Sequence, residues 1–242
     1  MIMNGMQLKE IRREVGQDFL WFQKNIRRWT KAYQKVRKGG FRSSRALRAC
    51  LPPKYEEVRT PRKNRAFIGT MAIRNKVNYV WFLYADHLDK RSFITVNLPN
   101  HDRDRWLLYE ALRQGDYSSL WLVSHREHLY HRYQQRTQQC GLSTMDLFQQ
   151  FMYSRIQRSF AQESKSDKKD QIRLHEYQRE GMLAGNKYPK SRQTVYNTFL
   201  NPLCMRPHYQ AQWARYFPVE ASKIDWLMLR CVELNDYKWE EE

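Results

Sequence analysis

The sequence predicts an α+β fold that is mainly α-helical, with a small antiparallel β-meander at about residues 66–98 packed by helices. Apolar residues recur at helical spacing along most of the chain, whereas β-branched and aromatic residues concentrate in that one region. Apolar residues occupy 41% and aromatic residues 14% of the 242 positions, which excludes a chain that is disordered throughout. We therefore expect a globular core in which helices cover a small sheet.

The first predicted element is a long basic helix over residues 8–37. Its apolar residues recur three and four positions apart, which places them on one helix face. They are Leu8, Ile11, Val15, Phe19, Phe22, Ile26, Trp29, Tyr33 and Val36. Gly39 and Gly40 are expected to end the helix. Residues 41–66 contain three prolines, so we expect an irregular basic arm there.

Three strands are predicted next, over residues 66–73, 77–84 and 92–98. Each segment is rich in β-branched or aromatic residues, and short polar connections separate them. Connections this short favour an antiparallel meander.

The remaining elements are predicted to be helices. The first three are expected over residues 101–113, 117–139 and 143–160. The wholly polar run at residues 162–170 is typical of a domain boundary, and a helical module with three or four helices is expected over 171–235. The predicted domains are a basic helix and arm at 1–65, a meander with helices at 66–160, and a helical module at 171–242.

Residues 172–200 have a pattern that a helix-turn-helix requires. The second helix, predicted over residues 191–200, would pack Val195 and Phe199 inward and present polar side chains to a major groove. The residues assigned to this contact are Lys190, Ser191, Arg192, Gln193, Tyr196 and Asn197. An ordinary amphipathic helix pair explains the same pattern, so both interpretations stay open.

The charge of the chain is concentrated near its start. The formal net charge is +18, and residues 1–65 hold 18 Lys+Arg against 5 Asp+Glu, whereas the other 177 residues hold 25 against 20. Such a concentration is typical of a protein that binds a polyanion, and nucleic acid is the leading candidate. The residues assigned to the phosphate contacts are Arg12, Arg13, Lys24, Arg27, Arg28, Lys31, Lys35, Arg42, Arg45, Arg62 and Lys63.

These observations predict a non-catalytic nucleic-acid-binding protein, with duplex DNA favoured over RNA. It would be a regulator or an accessory factor in transcription, replication, transposition or plasmid transfer, and protein partners in a nucleoprotein complex are expected. The chain has no apolar stretch near 18 residues and no apolar signal core at its start. We therefore expect a cytoplasmic protein without a membrane partner, associated with the nucleoid if it is bacterial.

Two other function classes fit parts of the sequence. Asp86, Asp89 and Asp102 could bind Mg²⁺ in a nuclease or RNA-processing enzyme, with His87 and His101 nearby, although turn formation and helix-end charge explain these carboxylates more simply. An RNA-binding subunit of a larger assembly is the other alternative.

No metal site and no cofactor are expected. The four cysteines lie at least 27 residues apart, which excludes a Cys-x-x-Cys zinc clip. His125, His128 and His131 lie three residues apart, and successive steps of three on a helix rotate the outer pair away from a shared ion. We expect these histidines on a solvated helix surface. Phosphate-binding loops and dinucleotide fingerprints are also absent from the sequence.

Overall fold

A computed structural model describes residues 2, 6–38, 54–73, 76–85, 92–99, 101–137, 141–142, 146–147, 150–152, 155 and 158–224. The helices are α1 (Leu8–Lys38), α2 (Asp102–Arg113), α3 (Glu127–Thr137), a 3₁₀ turn (Pro202–Cys204), α4 (Pro207–Tyr216) and α5 (Pro218–Ala221). The strands are β1 (Lys54–Arg59), β2 (Arg65–Ile73), β3 (Lys76–Ala85), β4 (Ser92–Asn97), β5 (Trp121–Arg126), β6 (Ser159–Lys165), β7 (Ile172–Gln178), β8 (Gly181–Tyr188) and β9 (Gln193–Leu200).

The described strands hydrogen-bond in the order β1-β2-β3-β4-β5-β9-β8-β7-β6. The first five strands pair antiparallel with their neighbours along the chain. The pairing of β5 with β9 is parallel, with Val123 opposite Thr194, so the sheet is mixed. Strand β9 therefore joins a strand that precedes it by more than 60 residues, which no local pattern encodes.

The chain forms two compact units. The first contains residues 1–129, 164–173 and 185–197, and the second contains residues 130–163, 174–184 and 198–242. Several segments contribute to each unit, and the sequence-based division into three consecutive domains stays a prediction.

The core of the first unit forms where α1 packs on the meander and on α2. Ile11, Val15 and Phe19 of α1 are buried in one cluster with Ile68 of β2 and with Leu112 of α2. The chain approaches α1 closely at Gly16, where an added Cβ would collide with the Tyr117 ring. The predicted apolar face of α1 is confirmed for its described side chains, and the side chains of Trp29, Tyr33 and Val36 lie outside the described residues.

In the second unit, polar contacts fix helices onto strand β7. The indole nitrogen of Trp213, in α4, donates a 2.8 Å hydrogen bond to the carbonyl oxygen of Gln178. The guanidinium of Arg155 holds the buried Glu176 carboxylate through two hydrogen bonds of 2.6 and 2.8 Å. Tyr177 and Met182 pack with Trp213 in a separate apolar cluster.

Five predicted elements are confirmed within about one residue of their bounds. These are α1, the strands β2, β3 and β4, and α2. The predicted helix over residues 143–160 is helical at 146–147, 150–152 and 155, but its last two residues belong to β6.

The predicted fold class is wrong in its balance of helix and strand. The protein is mixed α+β, and its C-terminal part is dominated by sheet rather than by a helical module. Residues 172–200, predicted as a helix-turn-helix, form β7, β8 and β9. The β-branched and aromatic side chains of residues 194–199 favour extended backbone, and Arg179-Glu180 makes the tight turn between β7 and β8.

Two further element predictions are wrong. The predicted helix over 117–139 is divided into strand β5 and helix α3. The segment over 41–66, predicted as an irregular arm, contains strand β1. The polar run at 162–170 forms part of strand β6 and the turn after it, and its role as a domain boundary stays a prediction. Polar residues suit β6 because most of its side chains are exposed, whereas β5 has strand partners on both sides and needs apolar ones.

Candidate nucleic-acid interface

Two turns of the first unit carry a concentration of cations. Residues 164–173 contain the β6–β7 turn, residues 185–197 contain the β8–β9 turn, and together they hold seven Lys+Arg against two Asp+Glu. We call these seven side chains the basic turn cluster, and they are Lys165, Lys168, Lys169, Arg173, Lys187, Lys190 and Arg192. Six of them are exposed and Lys187 is half-buried. A surface of this composition attracts polyanions.

An ion pair joins the two turns. The Lys190 ammonium lies 2.7 Å from a carboxylate oxygen of Asp170. The other acid of these segments, Asp167, pairs with Arg173 at 2.9 Å. Both pairs are exposed, so each contributes little to stability and can be broken by a competing anion.

Arg12 extends the basic turn cluster from helix α1. Its Nε donates a 3.2 Å hydrogen bond to the carbonyl oxygen of Leu120, and its Nη2 donates to the carbonyl oxygen of Ser191. Both acceptors are neutral, so these contacts orient the guanidinium without neutralising it. Partial burial lowers the pKa of Arg12, and the charge of Arg192 lowers it further.

Arg192 occupies the end of the β8–β9 turn in a left-handed conformation, with φ of 42°. Its Nη1 donates a 3.4 Å hydrogen bond to the carbonyl oxygen of Ser118, and the residue is exposed. Nearby Asp116 accepts a 2.8 Å hydrogen bond from the Ser118 amide. The pKa of Asp116 is lowered mainly by Ser118 and also by the charge of Arg192.

Trp121 supports the turn from strand β5. Its indole nitrogen donates a 3.0 Å hydrogen bond to the Thr194 hydroxyl, and the Lys187 ammonium lies 5.2 Å from its ring centre. A cation at this distance from a tryptophan ring is attracted to its face. These contacts fix the base of the β8–β9 turn on β5.

The cations assigned from the sequence near the N-terminus have different surroundings. Arg13, Lys24 and Lys63 are exposed, as a phosphate contact requires. Arg62 instead forms an ion pair with the buried Glu14. The side chains of four assigned residues of α1, and the whole of two others, lie outside the described residues: Arg27, Arg28, Lys31 and Lys35, and Arg42 and Arg45.

The assigned base-reading residues lie on strand β9 or in the turn before it, not on a helix. Gln193, Tyr196 and Asn197 belong to β9, and Tyr196 is buried, stacked on His125 with ring centres 5.3 Å apart. Tyr196 is therefore a core residue and unavailable to a groove. Ser191 is half-buried, and its hydroxyl donates a weak 3.4 Å hydrogen bond to the Tyr188 carbonyl.

A buried polar network surrounds Asp18 of α1. The Asn64 amide donates to Asp18 at 2.6 Å and to Glu14 at 3.3 Å. Burial raises the pKa of Asp18 to about 6, whereas hydrogen bonding to Arg62 lowers the pKa of Glu14 to about 2. This network holds the β1–β2 turn against α1, so its role is to stabilise the fold.

The residues considered for metal binding do not form a site within the described ranges. No group of three or more His, Cys, Asp or Glu there is placed to hold a metal ion. His101 and Asp102 are exposed at the start of α2, while Asp86, His87 and Asp89 lie outside the described residues. His125 is buried on β5, contrary to the surface helix expected for it, whereas His128 and His131 are exposed on α3.

The sequence interpretation missed Lys165, Lys168, Lys169, Arg173 and Lys187 as candidate contacts. The first three lie in the run predicted as a boundary, and Lys187 lies in the predicted turn between two helices. The available signal was their charge: two short segments with seven cations and two acids. Their proximity depends on the strand order, which brings the two turns together.

Within the part of the chain that the structure describes, no helix combines the length and the apolar character needed to cross a membrane. Comparison with known proteins found no family model that matches this chain, and no curated protein or solved structure with significant similarity to it.

Proposed function

We propose that the protein binds nucleic acid without cleaving it, through contacts to the phosphates of duplex DNA. The observation that carries this proposal is the basic turn cluster, in which seven cations and two acids share two adjoining turns. Binding there would release counterions condensed on the nucleic acid, which favours association without any base contact.

The exposed cations of α1 and of the β1–β2 turn support the same proposal. Arg13, Lys24 and Lys63 are exposed and belong to the same unit as the cluster. Arg62 and Arg65 are instead paired with Glu14 and Glu57. Among the described cations of residues 1–65, some are therefore paired with carboxylates, and others are exposed and available to phosphate.

Duplex DNA is favoured over a single strand on two grounds. A duplex carries one phosphate charge per about 1.7 Å of its axis, so it attracts a cationic surface more strongly. Single-strand binding uses exposed aromatic rings on which bases stack. Among the described residues the large exposed apolar side chains are Trp106, Leu107 and Val219, none of them in the basic turn cluster.

The test measures binding to labelled duplex DNA, single-stranded DNA and RNA of one sequence by fluorescence anisotropy across a salt series. We expect the duplex to bind tightest, and the logarithm of its association constant to fall linearly with the logarithm of the salt concentration. Replacing Lys168, Lys169 and Lys190 with alanine should reduce the salt slope by about one for each of these lysines that binds a phosphate.

The control replaces Lys223, an exposed cation of the second unit, with alanine. It should leave both affinity and slope unchanged. Equal weakening by the control and the cluster variants would mean that net charge alone causes binding. Absence of duplex binding at about 50 mM salt, or cleavage of any substrate with Mg²⁺, would refute the proposal.

A further inference from the structure

Two guanidinium groups that are 180 positions apart in the sequence meet at one stretch of backbone in the first unit. Arg12 donates to the carbonyl oxygens of Leu120 and Ser191, and Arg192 donates to the carbonyl oxygen of Ser118. The carbonyl groups of Ser118 and Leu120 are two positions apart in the sequence. The third carbonyl group is that of Ser191, the residue before Arg192. The charge of Arg192 lowers the pKa of Arg12, which reflects this proximity.

The like charges of this pair are not balanced by their contacts. Each guanidinium is anchored by neutral carbonyl oxygens, and two of the five N–H donors of Arg12 are used in this way. Asp116, at the start of the same stretch, adds one negative charge. The two guanidinium groups and the carboxylate of Asp116 therefore have a net charge of +1. The guanidinium groups, held in place by backbone contacts, can donate hydrogen bonds to one anion that has several oxygens.

The conformation of Arg192 supports a role beyond packing. Its φ of 42° is costly for a residue with a Cβ, and glycine would adopt it freely. Its hydrogen bond to Ser118, at 3.4 Å, is weak. Strained backbone of this kind is concentrated at active sites and ligand clamps.

We propose that Arg12 and Arg192 form a clamp that holds one phosphate group, with the guanidinium N–H groups donating to its oxygens. The inference rests on the proposed function, and it assigns the phosphate to the backbone of the bound nucleic acid. Lys190, in the same turn, leaves Asp170 and adds its charge when the phosphate arrives.

The decisive variant is Arg192→Gly, because it removes the guanidinium and also relieves the positive φ. We expect the variant to be at least as resistant to urea as the wild type, yet to bind duplex DNA about tenfold more weakly, with a salt slope smaller by about one. Arg13→Ala, which removes the exposed neighbour of Arg12, is the matched control and should weaken binding less. Arg12→Lys keeps the charge but loses the paired donors, and should weaken binding as Arg192→Gly does.

Inorganic phosphate provides a second readout that does not depend on nucleic acid. It should raise the melting temperature of the wild type more than chloride of equal ionic strength. This difference should be smaller in Arg192→Gly, which keeps only the general stabilisation that phosphate gives any folded protein. If the wild type binds duplex DNA and Arg192→Gly binds it equally well, the clamp is refuted while the proposed function stands. If duplex binding fails but the phosphate effect depends on Arg192, the clamp stands as a free-phosphate site and the proposed function is refuted.

Discussion

Asp18 and Glu14 lie one helical turn apart on α1, yet their environments shift their acidities in opposite directions. Burial is the largest influence on Asp18 and raises its pKa to about 6, although Asn64 and Thr60 donate to it. One carboxylate oxygen of Asp18 has no hydrogen-bond partner among the described residues. Glu14 accepts from Arg62, and this contact is the main reason that its pKa is about 2.

Replacing Asp18 with asparagine should change how stability depends on pH. The folded protein favours protonated Asp18, so the wild type loses stability as the pH rises from about 4, the ordinary pKa of aspartate, to about 6. The difference between a pKa of about 4 and one of about 6 corresponds to at most about 3 kcal/mol of free energy of unfolding. We therefore expect Asp18→Asn to gain stability relative to the wild type between pH 4 and pH 7, measured by urea unfolding.

Glu14→Gln is the matched control, because the folded pKa of Glu14 is lowered rather than raised. Ionised Glu14 stabilises the fold above about pH 4.5, and this stabilisation is lost as the pH falls toward 2. The variant should thus be less stable than the wild type at pH 7, with the difference shrinking in acid. Parallel pH profiles for the wild type and Asp18→Asn would contradict the assignment of the raised pKa.

At the scale of elements, strand pairing depends on a close approach between β8 and β9. A Cβ added at Gly185 would collide with the Val195 carbonyl oxygen and lie 2.9 Å from the Tyr196 Cα. We expect Gly185→Val to destabilise the protein by about 2–4 kcal/mol, because backbone must move to admit the side chain. Urea unfolding followed by circular dichroism measures the decrease in stability.

The control for this strand variant is Gly115→Asn, since no atom of the described residues lies within 4 Å of a Cβ at Gly115, and asparagine tolerates its φ of 84°. That change should cost about 1 kcal/mol or less. A Gly185→Val protein as stable as the control would show that β8 and β9 do not approach each other at Gly185.

The elements that the sequence predicts correctly are those with one unambiguous period. In α1, Ile11, Val15 and Phe19 recur at steps of four over a long segment, and all three are buried. In β9 the spacing misleads, because Val195 and Phe199 are four residues apart and would share a face in a strand as well as in a helix. The buried residues of β9 are Thr194 and Tyr196, at even positions, and then Phe199, at an odd position. Neither the two-residue period of a strand nor the 3.6-residue period of a helix therefore describes the whole segment.

The candidate site could be predicted only in part, because it depends on contacts between segments that are distant in the sequence. Charge identified Arg12, Lys190 and Arg192 as cations, but not the arrangement that joins Arg12 to the β8–β9 turn. That arrangement requires β9 to lie beside β5, a pairing between distant segments. Composition predicts that cations are abundant, whereas topology decides which of them meet.

At the scale of the whole molecule, the net charge of +18 opposes compaction. A polyanion that binds the folded protein should relieve this repulsion and stabilise the fold by mass action. We expect heparin to raise the melting temperature by several degrees at low salt, and the increase to disappear at about 1 M NaCl, where the Debye length is about 3 Å. Differential scanning fluorimetry with uncharged dextran as the control measures the effect, and an equal rise with dextran would exclude an electrostatic origin.

The parallel pairing of β5 with β9 also has a consequence for biosynthesis. About 65 residues separate the two strands, so a ribosome adding about 5–20 residues per second reaches the start of β9 roughly 3–13 s after it completes β5. During that interval the nascent chain holds β5 without one of its two neighbours, and its unsatisfied amides and carbonyls can capture a strand from another chain. Premature termination before residue 193 would make this condition permanent, so truncated products are expected to aggregate where the full-length chain folds.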